Sequence, residues 1–188
     1  ITELVALAQT NGILLLVDEV QTGMGRTGTR FAFEQYGFSP YIFTTAKGLA
    51  NGIPVGAMLA KNEFASALAY GTHGSTFGGN PLVMSAAQAT LMVLDDLLPT
   101  LPEKIALFWA KLAEFKNLSV VDDVRGMGMM AGIALTVPVE SVVADLLAAH
   151  IIVLSAGHNT LRLLPPLTIP TTQLLETLDK IKIQLGKN

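Results

Sequence analysis

The chain has 188 residues, enough for one large domain or two small ones. Hydrophobic residues make up 51% and charged residues only 14%, and mean hydropathy is +0.50, so either the core is large or some surface is covered by a partner. A net charge of −3 without a run of one sign argues against a nucleic-acid footprint, and the absence of cysteine excludes disulfides and thiolate metal sites, which fits the cytoplasm.

In chain order, residues 2–11 read as the second half of a helix, with Leu4, Leu7 and Ala8 on one face and Asn11-Gly12 as its stop. The chain is therefore expected to begin in mid-fold, as a piece of something longer. Residues 13–18 form an unbroken apolar run ending in Asp18, the pattern of a central parallel strand buried on both faces. A glycine-rich loop, 21–28, follows. Residues 31–36 suit a short helix stopped by Gly37, then Ser39-Pro40 turns the chain into a second strand, 42–46. After Lys47 and the Gly52-Ile-Pro54 turn comes a third strand, 55–60, then a short helix at 62–69 and a polar loop at 71–80. Asn80 and Pro81 suit the N-cap and first position of a helix running to Leu98. Pro99 and Pro102 interrupt, and a second helix covers about 103–116. Short β-type runs at 118–124, 131–135, 152–154 and 161–164 then alternate with helices at 139–149 and 171–186. The boundary near Pro99 predicts two domains, 1–98 and 99–188, the second a small α+β domain.

Several motifs fail on inspection. Leu14-Leu-Leu-Val-Asp-Glu19 resembles the acidic strand of a phosphate-loop ATPase, but no Gly-x-x-x-x-Gly-Lys-Ser/Thr accompanies it. Gly23-Met-Gly-Arg-Thr-Gly28 matches G-x-G-x-x-G, but four residues separate it from Asp18, and no acid occurs between Glu34 and Glu63. Ser75 lacks the Gly-x-Ser-x-Gly frame of a hydrolase elbow. His73, His150 and His158 show no metal-ligand spacing, so no metal is expected. The oiliest stretch, 142–156, is broken by Asp145 and His150, short of the ~18 apolar residues of a membrane span, so no membrane association is expected.

What survives is an amine and a carboxylate. Lys47 and Asp18 each follow a predicted strand, and ligands of α/β folds gather at the carboxyl ends of strands. An amine-transfer site needs a lysine that holds an aldehyde cofactor as a Schiff base and then moves a proton. It also needs a carboxylate that keeps the cofactor's pyridine nitrogen protonated, and donors for a phosphate. Asp18, Lys47, Gln21, Ser75 and Thr76 can supply these.

Three segments then carry a resemblance: Asp18-Glu-Val-Gln-Thr-Gly-Met-Gly-Arg-Thr-Gly28, Thr44-Thr-Ala-Lys-Gly-Leu49 and His73-Gly-Ser-Thr-Phe-Gly-Gly-Asn-Pro81. Together they resemble the signature of class III pyridoxal-phosphate aminotransferases, over essentially the whole chain and the latter half of the family's length. The resemblance implies an α/β fold: part of the mainly parallel sheet of a fold-type I PLP-dependent transferase large domain, followed by the small α+β domain. Within the class, Gly74–Pro81 and Leu161-Arg-Leu-Leu-Pro-Pro-Leu-Thr-Ile169 favour the branch that transaminates N-acetylornithine with 2-oxoglutarate in arginine biosynthesis. Ornithine and 4-aminobutyrate aminotransferases are the alternatives within the class, and a non-catalytic dimerisation module is the alternative outside it.

The resemblance assigns pyridoxal 5'-phosphate as cofactor, Lys47 as the Schiff-base and proton-carrying residue, and Asp18 as partner of the pyridinium nitrogen. It puts Val20 against the ring, Gln21 on the ring's 3-oxygen, and Thr76 on the phosphate held by a neighbouring subunit, hence a homodimer. Arg162 matches an arginine that binds a substrate carboxylate. Each has a plainer reading: Asp18 as a cap or salt-bridge acid, Gln21 and Thr76 as loop residues, Arg162 as a structural ion-pair partner. Arg125, in Val124-Arg-Gly-Met-Gly128, also matches the family but reads as structural, as do Glu19 and Arg26. Tyr41 departs from the family's usual acid, a loop change away from the chemistry. The family's first half supplies the ring-stacking aromatic and the main phosphate loop, so the 188-residue chain alone is expected to bind cofactor weakly and turn over negligibly.

Overall fold

The computed structural model describes residues 1–187 and divides at Pro99 into two compact units, Ile1–Leu98 and Pro99 onward. The first unit opens with α1 (Thr2–Thr10), which buries Val5 and Ala8. Three strands follow: β1 (Leu16–Asp18), β2 (Ile42–Thr45) and β3 (Ala57–Ala60). β1 runs parallel to β2 and β3 pairs with β2 antiparallel, so these three strands form a mixed sheet. Turns of 3₁₀ helix occupy Ala32–Tyr36, which ends at Gly37 in the left-handed conformation, and Lys47–Ala50. A short α2 (Asn62–Ala65) leads to the exposed loop 71–79, and α3 (Pro81–Leu97) closes the unit. Asn80 caps α3 as its sequence predicts: its Oδ1 accepts the Val83 N–H at 3.1 Å, and Pro81 fills a first-turn position.

The expectation of a strand buried on both faces is not met. Only 16–18 of the predicted run is strand, and Leu16 is 65% exposed. The apolar run does select the parallel register with β2, but among the described residues β1 has one hydrogen-bonded neighbour. Leu14, Met58 and Leu59 are likewise exposed, and the buried apolar set of this unit is small. The oily composition is therefore concentrated on an uncovered surface of the first unit.

The second unit has the larger core. α4 (Leu101–Ala113) accommodates Pro102 in its first turn, where the missing N–H costs nothing, so it begins two residues before its predicted start. The four-stranded sheet runs in the order β4 (Val121–Met127), β5 (Met130–Leu135), β7 (Thr160–Leu163), β6 (Leu154–Ala156), all antiparallel. Helices α5 (Val139–Ala148) and α6 (Thr171–Leu185) complete the unit. Strand alternation sends Val124, Ile133 and Leu161 into a core shared with Phe108, Leu146 and Leu178. Asn159 ties the layers together: its amide nitrogen donates to the carbonyls of Leu135 and Val137, and its Oδ1 accepts the Val139 N–H at the start of α5. β6 lies two residues beyond its predicted place, because Ile151 packs into the core while Ala156 pairs with Thr160.

By length and composition, one helical stretch among the described residues, 81–117, is long and apolar enough to cross a bilayer, and 17% of its apolar window is buried. No uninterrupted apolar run marks it, because isolated Ser, Gln and Thr residues dilute such a helix without ending it.

Candidate active site

Asp18 and Lys47 emerge at the same edge of the first sheet. In the parallel register Asp18 lies opposite Thr44, and β2 ends one residue later, two before Lys47. Asp18 Oδ1 accepts the Val20 N–H at 2.9 Å and the Thr44 hydroxyl at 3.4 Å. Oδ2 accepts no bond among the described residues, so the carboxylate is oriented by one oxygen and open at the other. Nothing in the local sequence singles out Thr44; its contact with Asp18 exists only through strand register.

Lys47 opens the 3₁₀ turn at φ +42, an uncommon conformation for a residue with a Cβ. Its side chain is exposed, while Leu49 and Ala50 behind it are buried where the turn packs against α3. The turn also meets the glycine-rich loop: a Cβ at Gly48 would stand 3.3 Å from Met24 Cβ. The first two motifs are thus in physical contact.

Glu19 explains how the loop keeps its shape. It is 1% exposed, its Oε2 accepts the Thr22 hydroxyl at 2.5 Å, and its Oε1 accepts the Phe33 N–H at 3.0 Å. Its backbone N–H donates to Thr44 O, and its carbonyl accepts from Gly23 N–H. A buried carboxylate satisfied in this way pins the start of the loop to both β2 and the 31–36 segment. Phe31 and Phe33 hold that segment against β2 by edge contacts with Phe43, at 4.7 and 5.2 Å between centroids. Burial lowers the pKa of the Arg26 guanidinium from its ordinary value. Arg30 pairs with Asp95 of α3. Glu19 therefore has the structural place its sequence suggests.

Val20 is half-buried and Gln21 exposed on the loop that follows Asp18. Thr76 is exposed and its hydroxyl has no hydrogen-bond partner among the described residues, whereas Ser75 Oγ is engaged by the Gly78 N–H at 2.9 Å. Tyr41, with Lys61 Nζ 4.6 Å from its ring centroid and Phe64 against its edge, is a packing residue at the β2–β3 margin.

Arg162 belongs to the second unit, on β7. Its Nε is buried without a hydrogen-bond partner. It lines a cavity of about 330 Å³ together with Arg125, Gly126, Gly132, Thr160 and others. Arg125 donates to Asp123 Oδ2 and to the Thr160 hydroxyl, both at 3.2 Å. Among the described residues no group of His, Asp and Glu is arranged to hold a metal ion.

The donor set of the first unit suits a pyridoxal phosphate. An oriented carboxylate with a free oxygen and an exposed amine at the end of the neighbouring strand are what its ring nitrogen and its carbonyl require. Comparison with known proteins agrees. Residues 1–185 match the family model for aminotransferase class-III. The acetylornithine aminotransferase of Lactococcus lactis subsp. lactis (strain IL1403) is 50% identical over 180 residues, 92% of this chain and 48% of that protein. The acetylornithine aminotransferase of Bacillus subtilis (strain 168) is 46% identical over 172 residues, 90% of this chain and 44% of that protein. Among solved structures, Plasmodium falciparum ornithine delta-aminotransferase superposes with a TM-score of 0.92 at 34% identity, over 98% of this chain and 49% of that one. An ornithine aminotransferase from Toxoplasma gondii, with PLP at partial occupancy in its active site, gives 0.91 at 29% identity, over 97% and 45%. The chain spans about half the length of the curated relatives it matches. Its α/β fold is that of the fold-type I PLP-dependent transferases, and the chain belongs to the class-III aminotransferase family.

Proposed function

We propose that the full-length polypeptide carrying this chain is a pyridoxal-phosphate aminotransferase. In this reading it moves the ω-amino group of N-acetylornithine, or a similar ω-amine, to 2-oxoglutarate in arginine biosynthesis, as a cytoplasmic homodimer. The observation that carries it is the emergence of Asp18 and Lys47 from one edge of adjacent parallel strands, in a chain half identical to an acetylornithine aminotransferase. Residues 1–98 would form the latter part of the cofactor-binding domain, and 99–188 the small domain. The 188-residue chain alone, about half the length of its relatives, would bind cofactor weakly and turn over negligibly.

When bound, pyridoxal phosphate supplies a carbonyl carbon that captures amines and a ring that takes up an electron pair. Lys47 Nζ would hold that group and then, as a neutral amine, take a proton from the donor's amine-bearing carbon and return one on the way to product. Asp18 Oδ2 would keep a proton at the ring nitrogen, its carboxylate fixed by Val20 N–H and Thr44 through Oδ1. Half-buried Val20 would support the ring from one side and Gln21 would donate to its 3-oxygen. Thr76 would donate its hydroxyl to the phosphate held by the neighbouring subunit. Arg162 would take a substrate carboxylate in the two-pronged geometry that a guanidinium favours.

Borohydride reduction of the cofactor-loaded full-length polypeptide, followed by peptide mass mapping, tests the assignment. A reduced adduct on Lys47, absent in Lys47→Ala, is expected; loading without an adduct there would remove the reading. The likeness to ornithine aminotransferase structures favours a second donor, ornithine. Comparing kcat/KM for N-acetylornithine, ornithine and 4-aminobutyrate decides among donors.

A further inference from the structure

Strand register puts Arg125, Gly132, Arg162 and Leu154 of the second unit in one row. Arg125 of β4 lies opposite Gly132 of β5, and Gly132 lies opposite Arg162 of β7. Directly opposed residues project from the same face of a sheet. Their neighbours Val124, Ile133 and Leu161 alternate to the other face and are core, so the row lies on the face away from the core. Neighbouring strands are about 4.8 Å apart, which puts the two arginine Cα atoms about 10 Å from each other. Between them stands a residue without a side chain. The adjacent row holds Ala134 and Thr160 with Asp123 of β4, and Met130, Ala156 and Gly157 share the lining of the 330 Å³ cavity.

The charge pattern points the same way. The cavity is lined by two guanidiniums and no carboxylate. Asp123, which pairs with Arg125, stands outside the lining, and both partners are about half exposed, so that pair is weak. Arg125 uses one N–H on Asp123 and one on Thr160; a guanidinium has five. These two bonds fix its plane while leaving donors for a ligand. On the other side, Arg162 has an enclosed Nε–H with no acceptor, a cost that a bound anion removes.

We propose that Arg125 is a second carboxylate-binding residue, and that Arg125 and Arg162 hold one substrate carboxylate between them over Gly132. The proposal deepens the transaminase reading, in which Arg162 alone meets the carboxylate. It gives Arg125 a ligand where sequence suggests only a structural bond. It also gives Gly132 a reason to lack a side chain: a Cβ there would rise into the cradle, 3.0 Å from Thr160 Cγ2.

The test uses the full-length polypeptide and glutarate, a dicarboxylate that cannot be transaminated. Glutarate binding to the cofactor-free protein by calorimetry, and KM for 2-oxoglutarate in the loaded enzyme, are compared for Arg125→Gln, Arg125→Lys, Arg162→Gln and Gly132→Ala. Loss of a charge-assisted bond is expected to raise the glutarate Kd and the KM about 10- to 100-fold in Arg125→Gln. The effect should fall on KM more than on kcat, lysine should restore only part of it, and Gly132→Ala should weaken binding as well. An unchanged Kd and KM in Arg125→Gln, with Arg162→Gln impaired, would overturn the proposal and leave Arg125 tied only to Asp123 and Thr160. A lowered unfolding midpoint with unchanged Kd would do the same. Because glutarate binding is read without cofactor, failure to label Lys47 would sink the transaminase reading without deciding this one.

Discussion

Gly126→Ala is a stringent probe of how the second unit is built. Gly126 sits in β4 at φ +147, a region essentially reserved for glycine, opposite Ala131 of β5. An alanine Cβ there would stand 2.1 Å from Met130 O and 2.9 Å from Ala131 Cα, and both are backbone atoms that cannot swing aside. Relieving the clash requires the strands to part by roughly 1 Å, with an overpacking cost of about 1–3 kcal/mol. The backbone conformation adds about 1–3 kcal/mol of strain. A loss of about 2–6 kcal/mol follows, a large share of the 5–15 kcal/mol that ordinarily holds a domain folded. Trp109 is the chain's only tryptophan, and its indole N–H donates at 2.9 Å to Gly128 O in the β4–β5 turn, so its fluorescence reports on this hairpin. With a urea slope of about 2 kcal/mol per molar, the midpoint should fall by about 2 M. Gly157→Ala is the control: no atom lies within 4 Å of its Cβ position, so its shift should stay within about 0.5 kcal/mol. A Gly126→Ala midpoint no lower than that of the control would refute the reasoning.

Other outcomes follow from the same contacts. Asn80→Ala removes the acceptor for Val83 N–H at the start of α3 and should cost about 1 kcal/mol, read as faster amide exchange in its first turn. Asp18→Asn should lower turnover of the full-length enzyme about 10- to 100-fold, and wild-type rates would argue against a ring-nitrogen partner. Glu114 accepts from Lys182 and Lys111, which holds its carboxyl below the usual range, so its folded pKa is lower than its unfolded one. Its stabilising contribution is present above the ordinary carboxylate pKa and is lost as pH falls through the lowered value; the gap in urea midpoint between the parent and Lys182→Met should narrow in acid. Lys111 is raised by its bond to Asp179, and then by Glu114. Its contribution is present below the ordinary lysine pKa and disappears as pH rises through the raised one, so Asp179→Asn should converge with the parent in strong alkali.

Local chemistry was legible in the sequence wherever a residue acts on its own neighbours. Asn80 and Pro81 mark a helix start because capping needs only four residues, and the helices of the second unit follow from apolar spacing. Lys47 and Asp18 can be read as strand-end residues for the same reason. What depends on pairing was not legible. The antiparallel entry of β3, the contact of Thr44 with Asp18 and the row Arg125–Gly132–Arg162 come from register between segments far apart in the chain. Burial of β1 was misread because an apolar run predicts a strand that needs cover, not that the cover lies within these residues. β6 was misplaced because Ile152 to Leu154 has the composition of a strand, while the pairing partner, Thr160–Leu163, takes Leu154–Ala156 instead.

The left-handed backbone at Lys47 has a consequence for how such a chain changes over time. An L-residue with a Cβ is uncomfortable at φ +42 by about 1–2 kcal/mol, whereas glycine adopts that angle freely. Mutational drift acting on foldability alone would therefore replace this lysine, and glycine would improve the turn. A copy released from amine chemistry should lose Lys47 early, without harm to its fold. Under the transaminase reading proposed above, its presence here against the preference of its own backbone is what retention for amine chemistry would produce.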